Sequence, residues 1–171
     1  YNNDNNDYLR LFFDILLWTP ENQNASGWSL PNDYMGINDN RVLSNWMRNY
    51  LKDEDIIVYG DGRQTRTFCY VEDGIDMCLG VLVKGKDGEV YNVGNPTPEL
   101  SMNELAKTFC KVLDYKNRNI NAQYPNFYPK DEPLRRCPNI DKVVKDTGTQ
   151  PSTSLDDGLK LMLKYFKETE S

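Results

Sequence analysis

An α/β fold is predicted for this chain, because short apolar runs that suit strands alternate with stretches of helical periodicity. The chain has 171 residues, enough to bury a core of its own. The clearest strand is the apolar run from Ile56 to Tyr59, which a turn at Gly60 and Gly62 ends. Strands and helices follow one another along the chain instead of forming separate blocks, which favours a layered α/β domain over a helical bundle.

The first 33 residues differ in character from the rest. They are rich in Asn and Asp, contain Phe12, Phe13 and Trp18, and show no regular pattern. From Tyr34 onward the patterning becomes regular. We therefore interpret residues 1–33 as an unassigned Asn/Asp-rich leader and residues 34–171 as a single α/β domain.

The first predicted helix covers about residues 41–52. Capping side chains are available at Asn38–Asn40, and one helical face carries Val42, Leu43, Trp46, Tyr50 and Leu51. After the strand and its glycine turn, Phe68 to Val71 predicts a second strand, so Arg66 would lie between two ordered elements.

Further helices and one strand follow. Glu72 and Asp73 stand at the positive end of a predicted helix, whose apolar stripe is Ile75, Cys78, Leu79 and Leu82. Glu89 to Val93 is the next predicted strand. Ser101 and Glu104 then form a capping box for a helix that carries Leu105, Ala106, Phe109, Val112 and Leu113. A fourth helix is predicted from Ile140 to Thr147, ended by Gly148, and a fifth begins at Ser154.

Composition excludes several functions. A net charge of −6 without a basic cluster argues against nucleic acid as a partner. Histidine is absent, which removes Ser/His and Cys/His nucleophiles and the usual zinc sites, so no metal is predicted. The cysteines Cys69, Cys78, Cys110 and Cys137 are widely spaced and are expected to be buried free thiols. No run of 18 apolar residues predicts a membrane span, and the start lacks signal-peptide features, so a cytoplasmic protein is expected.

Five segments together resemble one protein family. They are NDNRVLSNW (38–46), VYGDGRQTRTFCYVED (58–73), VYNVGNP (90–96), DEPLRRCPNID (131–141) and SLDDGLKLMLKYF (154–166). In the same order they are similar to motifs of the extended short-chain dehydrogenase/reductase family, the NAD-dependent nucleotide-sugar epimerases and dehydratases. The likeness is greatest to the UDP-glucuronate decarboxylases. It implies the small substrate-binding domain of such an enzyme, without most of the Rossmann half.

The resemblance also implies a ligand and a cofactor. The ligand is UDP or a UDP-sugar, and the family's cofactor is NAD. Yet the sequence has no GxxGxxG turn to approach a pyrophosphate, and no tyrosine is followed four residues later by lysine, as in the family's YxxxK pair. We therefore predict no catalytic and no cofactor-binding residue in this chain, and a separate Rossmann half is a candidate partner.

Two arginines are the principal candidates for binding a diphosphate. Arg66 and Arg136 match the family arginines that contact the nucleotide diphosphate, and a guanidinium can meet a phosphate with two parallel hydrogen bonds. For Arg66 the alternatives are a hairpin with a solvated arginine or a surface salt bridge. For Arg136 the alternative is its neighbour Arg135, if the correspondence slips by one residue.

Four more residues are candidates for the rest of the ligand. Tyr59 and Gly60 resemble the strand end that lies along the nucleoside, although core packing would also explain Tyr59. Arg41 and Asn45 resemble groups near the phosphates and sugar, although Asn45 could be an ordinary exposed residue. Glu72 and Asp73 could be read as an acid/base pair, but their position at a helix start favours capping.

Two functions of different classes remain open from the sequence. In the first, the chain is the nucleotide-sugar-binding portion of an NAD-dependent decarboxylase, dehydratase or epimerase. In the second, it is a non-catalytic nucleotide-sugar-binding or partner subunit, or a truncated product of such an enzyme. Whether the chain is an enzyme by itself is therefore undecided at this point.

The missing glycine turn leads to a prediction about NAD. Without amides that can approach the pyrophosphate closely, the chain alone should show no useful affinity for NAD. Calorimetric titration measures this directly. A dissociation constant tighter than about 100 μM, which corresponds to about −5.5 kcal/mol, would show that a cofactor site has been overlooked.

Overall fold

The computed structural model describes residues 11–13, 41–116, 119–123 and 133–169. Within these ranges five helices and seven short strands follow one another, which confirms the α/β prediction. In chain order they are β1 (Leu11–Phe13), α1 (Val42–Lys52), β2 (Ile56–Tyr59), β3 (Thr65–Arg66), α2 (Val71–Lys84), β4 (Tyr91–Val93), β5 (Leu100–Ser101), α3 (Met102–Val112), β6 (Ile120–Gln123), β7 (Arg135–Arg136), α4 (Asp141–Thr147) and α5 (Leu155–Thr169).

The described residues group into two units, and neither is a continuous stretch of chain. The first unit contains β1 and residues 66–99 and 136–155. The second contains residues 41–65, 100–116, 119–123, 133–135 and 156–169. The expected boundary at residue 34 lies outside the described ranges.

Strand pairing is parallel in both two-stranded sheets. In the second unit β2 pairs with β6, with Ile56 opposite Ile120 and Tyr59 opposite Gln123. In the first unit β1 pairs with β4. Parallel strands cannot be joined by a hairpin and need a long crossover, which the residues between β2 and β6 supply. A third sheet has the order β5-β3-β7.

The core of the second unit is formed by α1, β2 and α3. Trp46 of α1 meets Phe109 of α3 edge to face, with 5.8 Å between the ring centroids. The Trp46 indole Nε1–H also donates to the carbonyl of Ile57 at 2.6 Å, so the ring is packed and its polar group satisfied. Helix α3 begins with the predicted capping box: Ser101 Oγ accepts from the Glu104 amide, and Glu104 accepts from Ser101. The predicted residues Leu105, Ala106 and Phe109 are fully buried.

The core of the first unit lies between α2, β4 and α4. It consists of Met77, Val81, Tyr91, Val93 and Val143. The Tyr91 hydroxyl reaches the rim of this cluster and donates to Asp146 at 2.9 Å. Lys86 binds the same carboxylate at 2.9 Å. These contacts fix the end of α4 to the segment that follows α2.

Close packing at Gly80 brings α2 against the residues that follow α4. A Cβ atom built on Gly80 would lie 2.6 Å from Cγ2 and 2.8 Å from Oγ1 of Thr149. The Thr149 hydroxyl is already engaged with the Thr147 hydroxyl, 2.6 Å away. Only glycine therefore fits at this point of α2.

The apolar stripe predicted for α2 is wrong in its orientation. Ile75, Leu79 and Leu82 are exposed, and the buried positions are instead Gly74, Met77 and Val81. Helix α2 carries apolar residues around much of its circumference, and periodicity alone selected the wrong face. Cys78 is half-buried.

Other differences from the predicted elements are local. The strand predicted at Phe68–Val71 is wrong: the strand lies earlier, at Thr65–Arg66, and Val71 already begins α2. Strand β4 starts at Tyr91 and not at Glu89. The helices predicted at residues 41–52, 140–147 and from 154 onward are confirmed. Arg41 is the N-cap residue of α1, whereas Asn38–Asn40 lie outside the described residues. Across the ranges that the structure describes, no helix has the length and apolar character needed to cross a membrane.

The reversed face of α2 can be tested by a pair of substitutions. Met77→Ala should lower the free energy of unfolding by about 2 to 5 kcal/mol, because Met77 is fully buried. Leu82→Ala should change it by less than about 0.5 kcal/mol, because Leu82 is 72% exposed. Urea unfolding at equilibrium gives both values, and a larger loss for Leu82→Ala would restore the face predicted from the sequence.

Candidate functional site

The candidate site begins at the carboxyl end of β2, where the strand runs into a tight turn. Gly60 and Gly62 both have positive φ, 74° and 70°, in the left-handed region that favours glycine. The Gly60 amide still donates to the Gln123 carbonyl at 2.8 Å, which extends the parallel pairing by one residue. In parallel sheets, ligands bind beyond the carboxyl ends of the strands. The turn of residues 60–64 therefore leaves β2 at a position suited to a ligand.

Tyr59 and Gly60 have part of their backbone already engaged. The Tyr59 carbonyl accepts from Gln64 Nε2 at 2.9 Å, and Gln64 is buried. A carbonyl oxygen has two lone pairs, so a further donor can still be accommodated. The Tyr59 side chain is half-buried, which is compatible with nucleoside contact and with core packing alike.

Arg66 and Arg136 lie on neighbouring strands, β3 and β7, of one sheet. They belong to the same unit. Arg66 is only 7% exposed, so the alternative of a hairpin with a solvated arginine is wrong. Arg136 is exposed, as is Arg135 beside it. Successive side chains on a strand point to opposite faces, so only one of Arg135 and Arg136 shares a face with any given group.

Arg41 and Asn45 stand at the start of α1. The Arg41 carbonyl accepts the first hydrogen bond of the helix, from the Asn45 amide at 2.9 Å. Asn45 is 8% exposed, which overturns the alternative of an ordinary exposed residue. Its Oδ1 accepts from Arg48 Nη2 at 2.8 Å. The side chain of Asn45 is thus part of a hydrogen-bonded arrangement.

The six candidate residues are divided between the two units. Arg66 and Arg136 belong to the first, and Tyr59, Gly60, Arg41 and Asn45 to the second. Within the first unit, strand pairing brings the two diphosphate candidates to adjacent strands. Within the second, the candidates come from the end of β2 and the start of α1.

Asp73 has a structural role that differs from helix capping. The N-cap residue of α2 is Tyr70, and no side chain caps this helix. The Asp73 carboxylate instead accepts from Ser152 Oγ at 3.0 Å and from the Thr153 amide at 2.9 Å. Burial opposes its ionisation, but these hydrogen bonds outweigh burial and lower the pKa of Asp73. Capping by Asp73 is therefore wrong, and the residue ties α2 to the loop that precedes α5.

The cysteines offer no activated nucleophile. Burial, with a further contribution from Asp73, raises the pKa of the Cys69 thiol to about 12. Burial raises the pKa of Cys78 to about 11. Thiols with such values are protonated at neutral pH and unreactive. Cys69 is buried as expected, whereas the other three are half-buried. In the described ranges, no group of three or more Cys, Asp or Glu residues could hold a metal ion.

An open cleft of about 600 Å³ is found elsewhere in the first unit. It is lined by residues 95–98, by Ile140 and by residues 150–155. None of the candidate residues from the sequence lines it. Its walls are mainly proline, hydroxyl and amide groups, without a charged side chain.

Sequence reasoning missed two residues that shape the turn. Gln64 bonds the carbonyl at the end of β2, and Asn103 of α3 contacts the same turn from 42 positions away. Gln64 lies inside the GRQTR segment and could have been suspected. Nothing in the pattern around Asn103 signals a contact at such a separation.

Comparison with known proteins defines the class. Residues 23–94 match the model of the NAD dependent epimerase/dehydratase family. The chain carries a portion of the extended short-chain dehydrogenase/reductase fold, in agreement with the resemblance of its motifs. The match begins at residue 23, inside the segment interpreted as a leader.

Individual relatives are more specific. The chain is 40% identical over 134 residues to UDP-glucuronic acid decarboxylase 2 of Arabidopsis thaliana, covering 78% of this chain and 29% of that protein. Among solved structures it is similar to a UDP-glucuronic acid 4-epimerase from Bacillus cereus in complex with UDP-glucuronic acid and NAD. That match has a TM-score of 0.67 and 27% identity, and covers 75% of this chain and 40% of the epimerase. A UDP-glucose 4-epimerase from Thermotoga maritima with UDP-glucose matches with the same TM-score and 27% identity, covering 77% and 40%.

The anchoring role of Asp73 predicts a pH dependence. A carboxylate whose pKa is lowered in the folded state stabilises the fold above its unfolded pKa, about 3.9, and this contribution is lost as the pH falls through the lowered value. Asp73→Asn should therefore cost about 1 to 3 kcal/mol at pH 7. The difference from the wild type should shrink below about pH 4. Urea unfolding of both proteins from pH 7 to pH 2 measures it, and a difference that is independent of pH would contradict the charged tie.

Proposed function

We propose that this chain binds a nucleoside diphosphate, UDP or a UDP-sugar, through Arg66 and Arg136. The observation that carries the proposal is the position of the two arginines on adjacent strands of one sheet. A diphosphate offers oxygens on two phosphorus atoms, and two guanidiniums on neighbouring strands can each bind one phosphate. Charge-assisted hydrogen bonds of this kind are about twice as strong as neutral ones.

The different burial of the two arginines suits this division of labour. Arg66 is buried, so few rotamers are open to it and little side-chain entropy is lost when it binds. Arg136 is exposed and can adjust to the ligand. The chain as a whole carries a net charge of −6, so attraction for an anion depends on these local guanidiniums and not on a general positive field.

The remaining candidates supply contacts for the nucleoside and sugar. Tyr59 and Gly60 end β2 beside a glycine turn, where backbone groups can approach a base closely. Arg41 and Asn45 offer a guanidinium and an amide at the start of α1. These four residues are proposed as contacts because of their match to the family motifs together with their place at element ends.

In this proposal the chain is the substrate-binding portion of a UDP-glucuronate decarboxylase-like enzyme. The name of the Arabidopsis relative and the ligands of the two solved epimerases favour a UDP-sugar. Because the chain spans only 29% to 40% of these proteins, turnover is assigned to an assembly that includes the NAD-binding half. The free thiols found among the described cysteines suit a cytoplasmic location.

A non-catalytic binding subunit is the second candidate. The observation that favours it is the absence from this sequence of both the YxxxK pair and the GxxGxxG turn. Both candidates use the same ligand contacts. They differ only in whether a Rossmann half completes the site.

Binding of UDP to the purified chain tests the proposal. We expect weak binding by calorimetry, and Arg136→Ala should weaken it about tenfold to a hundredfold, because a charge-assisted bond to phosphate contributes about 1.5 to 3 kcal/mol. Arg66→Lys should weaken it as well, because lysine keeps the charge but loses the planar fork.

Two exposed arginines serve as controls. Arg135→Ala removes the same charge from the same strand, and Arg63→Ala removes an arginine that pairs with Asp61 at 3.6 Å in the turn. Neither should change the affinity by more than about twofold, the size of a screened surface charge effect. Equal losses in all the alanine variants would mean that general charge governs binding, and the proposed contacts would be abandoned.

A further inference from the structure

The turn after β2 is bonded to the first residues of α3. The Met102 amide donates to the Gln64 carbonyl at 3.1 Å, and the Asn103 amide donates to the Gly62 carbonyl at 3.1 Å. The first amides of a helix have no partner within the helix. Here the turn supplies those partners, while the next amide, of Glu104, is bonded to Ser101 Oγ at 3.2 Å.

Asn103 adds a side-chain contact to this backbone pairing. Its Nδ2 donates to the carbonyl of Asp61 at 3.0 Å. A Cβ atom on Gly62 would lie 2.5 Å from Cγ and 2.7 Å from Nδ2 of Asn103. The side-chain amide therefore lies directly on the turn, and Gly62, already at a φ of 70°, is the only residue that leaves it room.

We propose that Asn103 is a positioning residue, which holds the turn of residues 61–64 in the conformation that binds the nucleotide. The inference rests on the proposed function, because Tyr59 and Gly60 precede this turn and β3 follows it. A turn fixed before the ligand arrives need not be ordered on binding, and the corresponding entropy cost is avoided. Asn103 does not itself contact the ligand in this scheme.

The alternative is that Asn103 serves only the stability of α3, and two substitutions separate the possibilities. Asn103→Asp keeps the shape but loses the donor to the Asp61 carbonyl, while a carboxylate in the first turn favours the helix through its dipole. Asn103→Leu also loses the donor, adds no charge and has a higher helix propensity than asparagine. Both variants should therefore keep α3 stable while releasing the turn.

The experiment measures UDP binding, thermal unfolding and amide hydrogen exchange of the full chain. Both variants should bind UDP about fivefold to tenfold more weakly, the equivalent of one lost hydrogen bond, with an unchanged unfolding midpoint. Exchange at the Met102 and Asn103 amides should become about fivefold to tenfold faster through local opening. The amide of Phe109, deeper in α3, should exchange as in the wild type.

Each outcome decides the matter. A loss of affinity in Asn103→Asp alone would be repulsion between the new carboxylate and the diphosphate, and would overturn the inference. A lower unfolding midpoint that accounts for the weaker binding would overturn it in favour of a structural role. Failure of the wild type to bind UDP would count against the proposed function, whereas unchanged exchange in Asn103→Leu would refute the hold on the turn whether or not UDP binds.

Discussion

The parallel pairing of β2 with β6 is the constraint on which the arrangement of the second unit depends. Two parallel strands leave their sheet at the same edge, so the chain cannot turn back directly and must make a long crossover before β6. The turn at Gly60 begins that crossover, and α3 returns toward β6. The same need explains why the segments of the two units interleave: residues 66–99 are contained within the excursion between the paired strands.

Much of the fold could be predicted from local signals. The capping box at Ser101 and Glu104 marked the start of α3, and the glycine after Thr147 marked the end of α4. Pairing between strands could not be predicted. Strand β6 reads INAQ, with little β-branched character, and β7 consists of two arginines. Both are strands because of their partners across the sheet and not because of their own composition.

The orientation of α2 failed for a different physical reason. Residues such as Ile75 and Leu79 satisfy a helical period as well as Met77 and Val81 do, and the choice between the two faces is made by what β4 and α4 present. For the site, the motifs indicated the arginines and the end of β2. They could not indicate Asn103, because its contact with the turn depends on the return of the chain along α3.

Gly80 has a consequence for how this sequence can change over time. The absence of a side chain at this position permits the approach of Thr149, and the Thr149 hydroxyl is in turn engaged with Thr147. A larger residue at position 80 would be accepted only together with a smaller one at position 149 or a displaced loop. The two positions thus form an epistatic pair: each limits the substitutions that drift can fix at the other, although 69 residues of chain separate them.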